Sequence, residues 1–220
     1  MIVEVLDDAE ALARRGAACI AAAAHASVAV RGLFHLAVSG GTTPRRMLDH
    51  LAAEAIPWPR VHLWQVDERI APDGDPGRNA QMVADSGIGE RVGHLHLMPV
   101  ATENADDYAA QMVSEAPVLD LVHLGLGADG HTASLIPGDP ALESQADVAL
   151  TGEYQGRRRM TLTFRVLDRA RARLWVVGGG DKVDAARRLR SGDTTLIAAR
   201  VTAIGAVLLL DRAAAGKEGR

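Results

Sequence analysis

A short apolar run in the middle of the chain ends in a glycine-rich turn that carries a histidine. The run Leu119–Leu126 is typical of a buried strand, and Asp129 and His131 follow it directly. Histidine has an ordinary pKa that suits it to act first as a base and then as an acid near neutral pH. Because open α/β sheets build their sites where strands end, the segment predicts a catalytic turn.

The glycines of this turn also match a dinucleotide-binding pattern. Gly125, Gly127 and Gly130 fit the spacing G-x-G-x-x-G, but that motif requires a long following helix and an acidic residue about 20 positions further on. Pro137 interrupts the segment before such a helix can form. We therefore interpret the glycines as a means for the backbone to approach a ligand closely, and we include Gly127 in the binding set.

A second glycine turn has the features of a phosphate site. The segment Ser39–Pro44 (SGGTTP) lies between a predicted strand and the start of a predicted helix. Gly40 and Gly41 expose backbone N–H groups, the helix N-terminus adds partial positive charge, and the hydroxyl groups of Ser39 and Thr42 are further donors. The segment lacks the Lys-Ser/Thr ending of a P-loop. A plain tight turn with a capping threonine fits the same residues equally well.

Charged residues at the ends of other predicted elements supply the remaining groups. Asp67 and Arg69 follow the third strand and should reach the same edge of a parallel sheet as His131. Arg159 begins a strand-like segment, and Lys182 follows a run of glycines at the start of a predicted helix. Each basic side chain can donate charge-assisted hydrogen bonds to an anion, although a solvated surface charge is the alternative for any one of them.

The sequence offers no clear metal site and no serine nucleophile. His94 and His96 could present two imidazoles on one face of a strand, but no cysteine or third histidine nearby in the sequence completes a ligand set. No G-x-S-x-G elbow occurs in the sequence, so a serine hydrolase of the α/β-hydrolase type is not supported. We expect neither a metal nor a cofactor.

Composition argues against several classes of protein. The chain has 220 residues, 48% of them hydrophobic, and a net charge of -4, which argues against a nucleic-acid partner or a membrane surface. Cys19 is the single cysteine, so an intramolecular disulfide is impossible and a reducing cytoplasm is the expected setting. No signal-peptide pattern or bilayer-length apolar run is evident. We expect a small-molecule partner and a monomer or weak homodimer.

Strand-like and helix-like segments alternate along the chain. Strands are predicted at residues 2–6, 33–38, 61–66, 95–98, 119–126, 173–177 and 206–210, and helices at 9–25, 45–54, 79–85, 104–115 and 181–190. This alternation predicts a single α/β domain over residues 1–212, with a mostly parallel, Rossmann-like sheet flanked by helices. Residues 148–154 and 158–163 predict a small late β-hairpin, and residues 213–220 a frayed tail.

Taken together, these segments resemble the 6-phosphogluconolactonase family and its relatives, the glucosamine-6-phosphate deaminases. The matching blocks occur in the family's order over most of the chain, at residues 39–44, 64–69 with Asn79 downstream, 124–138, 159–163 and 178–182. The block Asp129–Leu135 (DGHTASL) is the most specific of them. A deaminase would be expected to continue differently after the shared Asp-Gly-His, so Thr132–Leu135 favours the lactonase.

The chain departs from the family pattern in three places. A proline-rich segment before the Arg159 strand is replaced by residues 153–158, a Leu-Pro step is replaced at Leu196, and Ile136 stands where phenylalanine is frequent. None of these changes removes a candidate catalytic group. The first leaves the conformation of the loop before Arg159 open.

The resemblance implies the NagB/RpiA-like fold and hydrolysis of 6-phospho-D-glucono-1,5-lactone to 6-phospho-D-gluconate, in the oxidative pentose phosphate pathway, without a cofactor. It implies His131 as general base and Arg69 as oxyanion stabiliser, with Asp129 or Asp67 orienting either group. The residues implied to hold the substrate and its phosphate are Ser39, Gly40, Gly41, Thr42, Asn79, Gly127, Arg159 and Lys182. A glucosamine-6-phosphate deaminase and a non-catalytic sugar-phosphate-binding regulator are the alternatives.

Overall fold

The computed structural model describes residues 1–216, and two sheets organise this part of the chain. Seven strands form a parallel sheet in the order β1-β10-β9-β6-β2-β3-β5, and three form an antiparallel sheet in the order β4-β8-β7. The strands are β1 Ile2–Leu6, β2 Phe34–Val38, β3 Val61–Gln65, β4 Asp67–Arg69, β5 His94–His96, β6 Leu121–Leu124, β7 Val148–Leu150, β8 Arg159–Leu162, β9 Ala172–Val177 and β10 Ala206–Asp211.

Helices cover both faces of the parallel sheet. They are α1 Ala9–Arg31, α2 Thr42–Ala53, α3 Asn79–Asp85, α4 Ala105–Glu115, α5 Phe164–Arg169, α6 Val183–Ser191 and α7 Arg212–Ala215. Short 3-10 helices occupy Trp58–Arg60, Ile88–Glu90, Pro140–Glu143, Gly180–Lys182 and Ile197–Arg200. The prediction of a mostly parallel sheet flanked by helices, with a small late hairpin, is confirmed. No described helix is long and apolar enough to cross a bilayer.

Neighbouring residues of the central strands face opposite layers. In β9, Leu174 belongs to the apolar cluster that contains α1 and α2, whereas Trp175 belongs to the cluster that contains α4 and α6. In β3, Leu63 and Trp64 divide in the same way. This alternation follows from the two-residue period of a strand, and it gives the sheet an apolar layer on each side.

The strand order reverses direction between β2 and β6. From β2 the chain continues outward to β3 and β5, and it then returns to β6 on the other side of β2 before building β9 and β10. In open parallel sheets, the crevice outside the carboxyl ends of the strands at such a reversal is where ligands bind. The segments that follow β2 and β6 are the two glycine turns singled out by the sequence.

Helix α1 is longer than predicted. The Asp8 side chain accepts hydrogen bonds from the backbone N–H groups of Glu10 (3.0 Å) and Ala11 (2.8 Å), as an N-cap should. The helix continues past the predicted end near residue 25 to Arg31 because no glycine or proline occurs between His25 and Gly32. Gly32 ends the helix in the left-handed conformation, with φ of 79°.

The structure adds one strand and corrects one further prediction. Asp67–Arg69, which follow the third strand, form the strand β4, where the chain passes from the parallel sheet into the antiparallel one. The first residues of the predicted frayed tail, from residue 213, are ordered because they belong to helix α7. Ala214 is fully buried there, and its backbone N–H donates to the Asp211 side chain at 2.7 Å. Residues 217–220 of that predicted tail lie outside the described residues.

Candidate active site

A cleft of about 420 Å³ opens at the carboxyl ends of β2 and β6, where the strand order reverses. All the site residues predicted from the sequence line this cleft except Asp129, which hydrogen-bonds to the cleft residue His131. The predicted residues in its lining are Ser39, Gly40, Gly41, Thr42, Asp67, Arg69, Asn79, Gly127, His131, Arg159 and Lys182. The cleft is therefore lined by candidate basic and nucleophile-activating groups from segments far apart in the sequence.

The turn after β6 is closed by its own backbone. Gly127 N–H donates to the His131 carbonyl at 2.8 Å, and the Thr132 hydroxyl donates to the Gly125 carbonyl at 2.9 Å. A Cβ on Gly127 would overlap the side chains of His131 and Asp129, so only glycine leaves room for this pair. Among the described residues, no α-helix lies between β6 and β7, and the dinucleotide interpretation thus lacks the helix it requires.

His131 is held by a carboxylate. Its Nδ1 lies 2.6 Å from Asp129 Oδ1, and the Tyr154 hydroxyl donates to Asp129 Oδ2 at 3.0 Å. With Asp129 ionised, Nδ1 carries the proton that donates to it, and Nε2 keeps a lone pair. Burial tends to raise the pKa of Asp129, but the hydrogen bonds and charge of His131, together with Tyr154, outweigh burial and lower it.

The loop before Arg159 places the Tyr154 side chain beside the site. Tyr154 and Arg157 form an antiparallel bridge around Gln155 and Gly156, whose φ values of 53° and 77° suit a tight hairpin turn. The turn brings the Tyr154 ring to 5.4 Å from the His131 ring and 5.1 Å from the Arg159 guanidinium carbon. Sequence reasoning missed Tyr154, because only the fold brings this loop beside Asp129.

A buried polar network positions Arg69. Arg69 donates to the Gly77 carbonyl and, at 3.2 Å, to Asn79 Oδ1, while the Asn79 amide donates to Asp67 Oδ1 at 3.1 Å. Asp67 Oδ2 accepts from the Ser134 hydroxyl at 2.6 Å. Burial raises the pKa of Asp67, although the Ser134 hydrogen bond and the Arg159 charge oppose this. Of the two candidate orienting acids, Asp129 therefore contacts His131, and Asp67 acts toward Arg69 through Asn79.

Glu68, the acid next to Arg69 in the sequence, holds the start of helix α3 in place. It is fully buried and accepts backbone hydrogen bonds from Arg69 (2.8 Å), Asn79 (2.7 Å) and Ala80 (2.8 Å). The last two belong to the first turn of α3, where a carboxylate is favoured by unpaired N–H groups and by the helix dipole. Glu68 thus attaches the start of α3, which carries Asn79, to the strand that carries Arg69.

Arg159 has unused hydrogen-bonding capacity inside the cleft. It lies directly opposite Arg69 in the antiparallel pairing of β4 and β8, a position where like charges repel. Its Nε is buried and has no hydrogen-bond partner among the described residues, and its Nη2 donates to Gln155 Oε1 at a long 3.4 Å. Burial lowers the pKa of Arg159, which the Asp67 carboxylate offsets only in part. Two adjacent arginines with an unsatisfied donor indicate a site for an anion.

The turn after β2 contributes mainly its backbone. The Ser39 hydroxyl lines the cleft but donates to the His123 carbonyl at 3.0 Å, so its proton ties β2 to β6 and is not the free donor that we predicted. Helix α2 begins at Thr42, earlier than predicted, and no side chain caps it at Gly41. A Cβ on Gly40 would overlap the Asn79 side chain, so glycine is required where this turn meets the Arg69 network. The uncapped helix start leaves N–H groups for an anion.

Lys182 reaches the cleft from the turn after β9. It ends the 3-10 helix Gly180–Lys182, and its ammonium nitrogen lies 3.0 Å from Asp181 Oδ2.

The two arginines that precede Arg159 in the sequence form ion pairs outside the cleft. Arg157 donates to Asp75 at 2.8 Å and Arg158 to Glu103 at 2.6 Å, so of that run only Arg159 lines this cleft.

The fold and the cleft define an α/β protein with a histidine–carboxylate pair beside three basic side chains, Arg69, Arg159 and Lys182. The model of the family glucosamine-6-phosphate isomerases/6-phosphogluconolactonase matches residues 7–208, and the chain belongs to this family. Among its relatives, the 6-phosphogluconolactonase of Synechocystis sp. is 33% identical over an alignment of 197 residues that covers 83% of this chain and 82% of that protein. The 6-phosphogluconolactonase of Rhizobium meliloti is 34% identical over an alignment of 205 residues that covers 87% of this chain and 88% of that protein.

Solved structures agree with the fold. The crystal structure of a 6-phosphogluconolactonase from Shewanella baltica superposes with a TM-score of 0.85 at 26% identity and covers 96% of this chain and 97% of that one. The Thermotoga maritima 6-phosphogluconolactonase superposes with a TM-score of 0.83 at 23% identity, over 96% and 98% of the two chains, and supports the fold alone.

Proposed function

We propose that this protein hydrolyses 6-phospho-D-glucono-1,5-lactone to 6-phospho-D-gluconate, a step of the oxidative pentose phosphate pathway. The observation that carries the proposal is the His131–Asp129 pair at a cleft that Arg69, Arg159 and Lys182 also line. A base beside a cluster of basic side chains fits a substrate that has a lactone carbonyl at one end and an anionic phosphate at the other. Relatives named 6-phosphogluconolactonase, which match over most of both chains, support the same reaction.

In this proposal His131 is the general base and then the general acid. Its Nε2 takes a proton from a water molecule, whose oxygen attacks the lactone carbonyl carbon. Asp129 accepts the Nδ1–H hydrogen bond and stabilises the imidazolium that forms. The tetrahedral intermediate then expels the ring oxygen, which takes the proton back from Nε2. Water and lactone are consumed, the hydroxy acid is formed, and no covalent intermediate, metal or cofactor takes part.

Arg69 stabilises the negative charge on the carbonyl oxygen in the transition state. Its hydrogen bonds to the Gly77 carbonyl and to Asn79 fix the guanidinium before substrate arrives. Asp67 accepts a hydrogen bond from the Asn79 amide, which leaves the Asn79 Oδ1 facing Arg69. Such pre-positioned donors are effective because they need not reorganise as charge develops.

The phosphate is held at the other basic groups of the cleft. Arg159 offers a buried guanidinium with an unpartnered Nε, Lys182 offers an ammonium, and the segment Gly40–Thr42 offers backbone N–H groups at the start of α2. Fixing the phosphate fixes the lactone over His131, which makes the attack effectively intramolecular. Ser39 and Gly127 shape the cleft wall, since each lines it without a free donor side chain.

A glucosamine-6-phosphate deaminase is the second candidate, because the matched family includes isomerases of that substrate. The segment Thr132–Leu135 follows the lactonase pattern, and its residues are engaged in the site: Thr132 bonds Gly125 and Ser134 bonds Asp67. A regulator that binds sugar phosphates without turnover is the third candidate. The ionised Asp129 beside His131 favours a catalyst over such a regulator.

The experiment that separates the three is turnover of fresh lactone by the purified protein. Acid release is followed in weak buffer and compared with spontaneous hydrolysis under the same conditions. The proposal expects release above that background at a rate proportional to protein concentration. Ammonia release from glucosamine 6-phosphate would support the deaminase instead, and saturable binding of 6-phosphogluconate without lactone turnover would support the regulator.

We also propose a setting for this activity. The substrate is a small molecule, and the net charge of -4 gives no reason to expect a nucleic-acid partner. Cys19 is a free, partly buried thiol, which fits the reducing cytosol. The cleft is built from one chain, so the activity fits a monomer or a weak homodimer.

A further inference from the structure

Four histidines lie together at the edge of the parallel sheet that β5 forms. His35, His62 and His94 occupy matching register positions on β2, β3 and β5, and His96 follows on the same face two residues later. The His62 ring centroid lies 4.4 Å from that of His94 and 5.3 Å from that of His96. None of the four lines the cleft, so the proposed hydrolysis leaves them without a role.

Helix α4 adds a carboxylate to two of these rings. Glu115, its last residue, places Oε2 at 3.7 Å from His96 Nε2 and at 4.0 Å from His62 Nδ1. The two ring nitrogens are 3.1 Å apart, and one ligand atom from each residue lies within 4.8 Å of the others. This set of three side chains could not be predicted from the sequence, because His62 and Glu115 belong to elements that are distant from β5 along the chain.

The spacing matches that of a tetrahedral zinc ion. Zinc–nitrogen and zinc–oxygen bonds of about 2.0–2.1 Å place neighbouring ligand atoms about 3.4 Å apart. The three observed separations lie on both sides of that value, so side-chain shifts of a few tenths of an ångström bring all three atoms onto one ion. Two imidazoles and one carboxylate form a ligand set that favours zinc and similar transition metals over Mg²⁺ or Ca²⁺.

We infer that His62 Nδ1, His96 Nε2 and Glu115 Oε2 form a binding site for Zn²⁺, with a fourth position open to water. The site would join the edge strand β5 and its neighbour β3 to the end of α4. It lies apart from the cleft, so the ion would act on the attachment of α4 and not on the lactone.

Burial and a neighbouring amide support the site. The His96 and His62 side chains are 4% and 12% exposed, whereas Glu115 is 37% exposed and leaves an entrance for the ion. The Gln111 side-chain nitrogen lies 3.0 Å from His96 Nδ1 and donates to Glu115 Oε1 at 3.1 Å. It therefore contacts two of the three proposed ligand residues and helps to fix their side chains, as outer partners of metal ligands do.

The test is zinc binding to the full-length protein after removal of metals with a chelator. Zinc is titrated against a chromogenic chelator with wild type, with Glu115→Gln and with His62→Gln. His25→Ala is the matched control, because His25 lies on α1, outside the proposed ligand set, and its ring hydrogen-bonds to the Ala55 carbonyl at 2.6 Å. We expect one equivalent bound by wild type and by the control, and affinity at least about tenfold weaker in both site variants.

A second measurement locates the ion. The Trp64 and His96 rings are stacked with centroids 3.7 Å apart, so a quenching ion such as Co²⁺ or Cu²⁺ on His96 should reduce tryptophan fluorescence. The quenching should saturate at one equivalent, and Glu115→Gln should shift it to higher metal concentration. Glu115 is partly exposed, and lactone turnover at the wild-type rate shows that its variant is folded. Equal zinc affinity in wild type and both site variants, or no stoichiometric binding by wild type, would overturn the inference.

Discussion

Replacing Asp129 by asparagine removes the charge that faces His131 while keeping the size of the side chain. In the wild type, Asp129 Oδ1 lies 2.6 Å from His131 Nδ1, a distance typical of a charge-assisted hydrogen bond. Such a bond contributes about 1.5–3 kcal/mol, which corresponds to roughly 10- to 150-fold in rate. Because Asp129 is 40% exposed, solvent screening favours the lower part of that range.

We therefore expect kcat for lactone hydrolysis by Asp129→Asn to fall about 10- to 50-fold. KM should change little, since Asp129 does not line the cleft. The assay is the initial rate of acid release after subtraction of spontaneous hydrolysis, measured over a range of lactone concentrations. An asparagine amide can also donate to Nδ1, which would leave the proton on Nε2 and add to the loss.

Tyr154→Phe is the matched variant for this prediction. It deletes only the hydroxyl that donates to Asp129 Oδ2 at 3.0 Å, and it keeps the ring beside His131. Loss of one solvent-accessible hydrogen bond, worth about 0.5–1 kcal/mol, should lower kcat about two- to fivefold. The reasoning is refuted if Asp129→Asn retains a kcat within a factor of two of wild type, or if Tyr154→Phe loses more than Asp129→Asn.

Three further predictions concern substrate binding, packing and acid stability. Arg159→Ala should raise KM about tenfold or more, because it removes a charge-assisted phosphate contact. Its control, Arg158→Ala, removes only an exposed ion pair with Glu103 and should leave KM unchanged in the same assay. Equal effects of the two variants on KM would contradict the assignment of Arg159 to the phosphate. Gly40→Ala should lower the free energy of unfolding, measured in urea, by about 1–3 kcal/mol and reduce lactone turnover, because the added Cβ would overlap the Asn79 side chain. Wild-type stability and turnover in this variant would contradict the overlap. Burial lowers the pKa of His123 to about 4, below its ordinary value of 6.5, so protonation favours the unfolded chain and stability falls as pH drops from about 6.5 toward 4. That loss should approach about 3 kcal/mol for this residue, and urea unfolding of His123→Asn at several pH values should show a correspondingly weaker pH dependence; an equal dependence would contradict it.

The sequence was sufficient to predict those features of the fold and the site that depend on residues close together in the chain. The strand before His131, the turn at Ser39–Pro44 and the parallel alternation could all be predicted, because strand ends and glycine turns have local signatures. Gly127 and Gly40 were included for backbone access, and the structure adds that each makes room for a side chain from the network, at His131 and at Asn79 respectively. What could not be predicted depends on which distant segments meet.

Three features illustrate that limit. Tyr154 reaches Asp129 only because the Gln155–Gly156 turn folds the hairpin over the β6 turn. The Ser39 hydroxyl could donate a hydrogen bond to a phosphate, but it donates instead to the backbone carbonyl of His123 on the neighbouring strand β6. The histidine cluster at β5 is completed by Glu115, the last residue of a helix, and no spacing in the sequence indicates that it lies there.

The central claim is that His131 is the base that activates water in this cleft. The most direct measurement is kcat for lactone hydrolysis by His131→Asn beside wild type, corrected for the spontaneous reaction. Asparagine fits the space but cannot take a proton near neutral pH, so kcat should fall about 10²- to 10⁴-fold while KM changes little. A variant whose kcat stays within a factor of two of wild type would contradict the account.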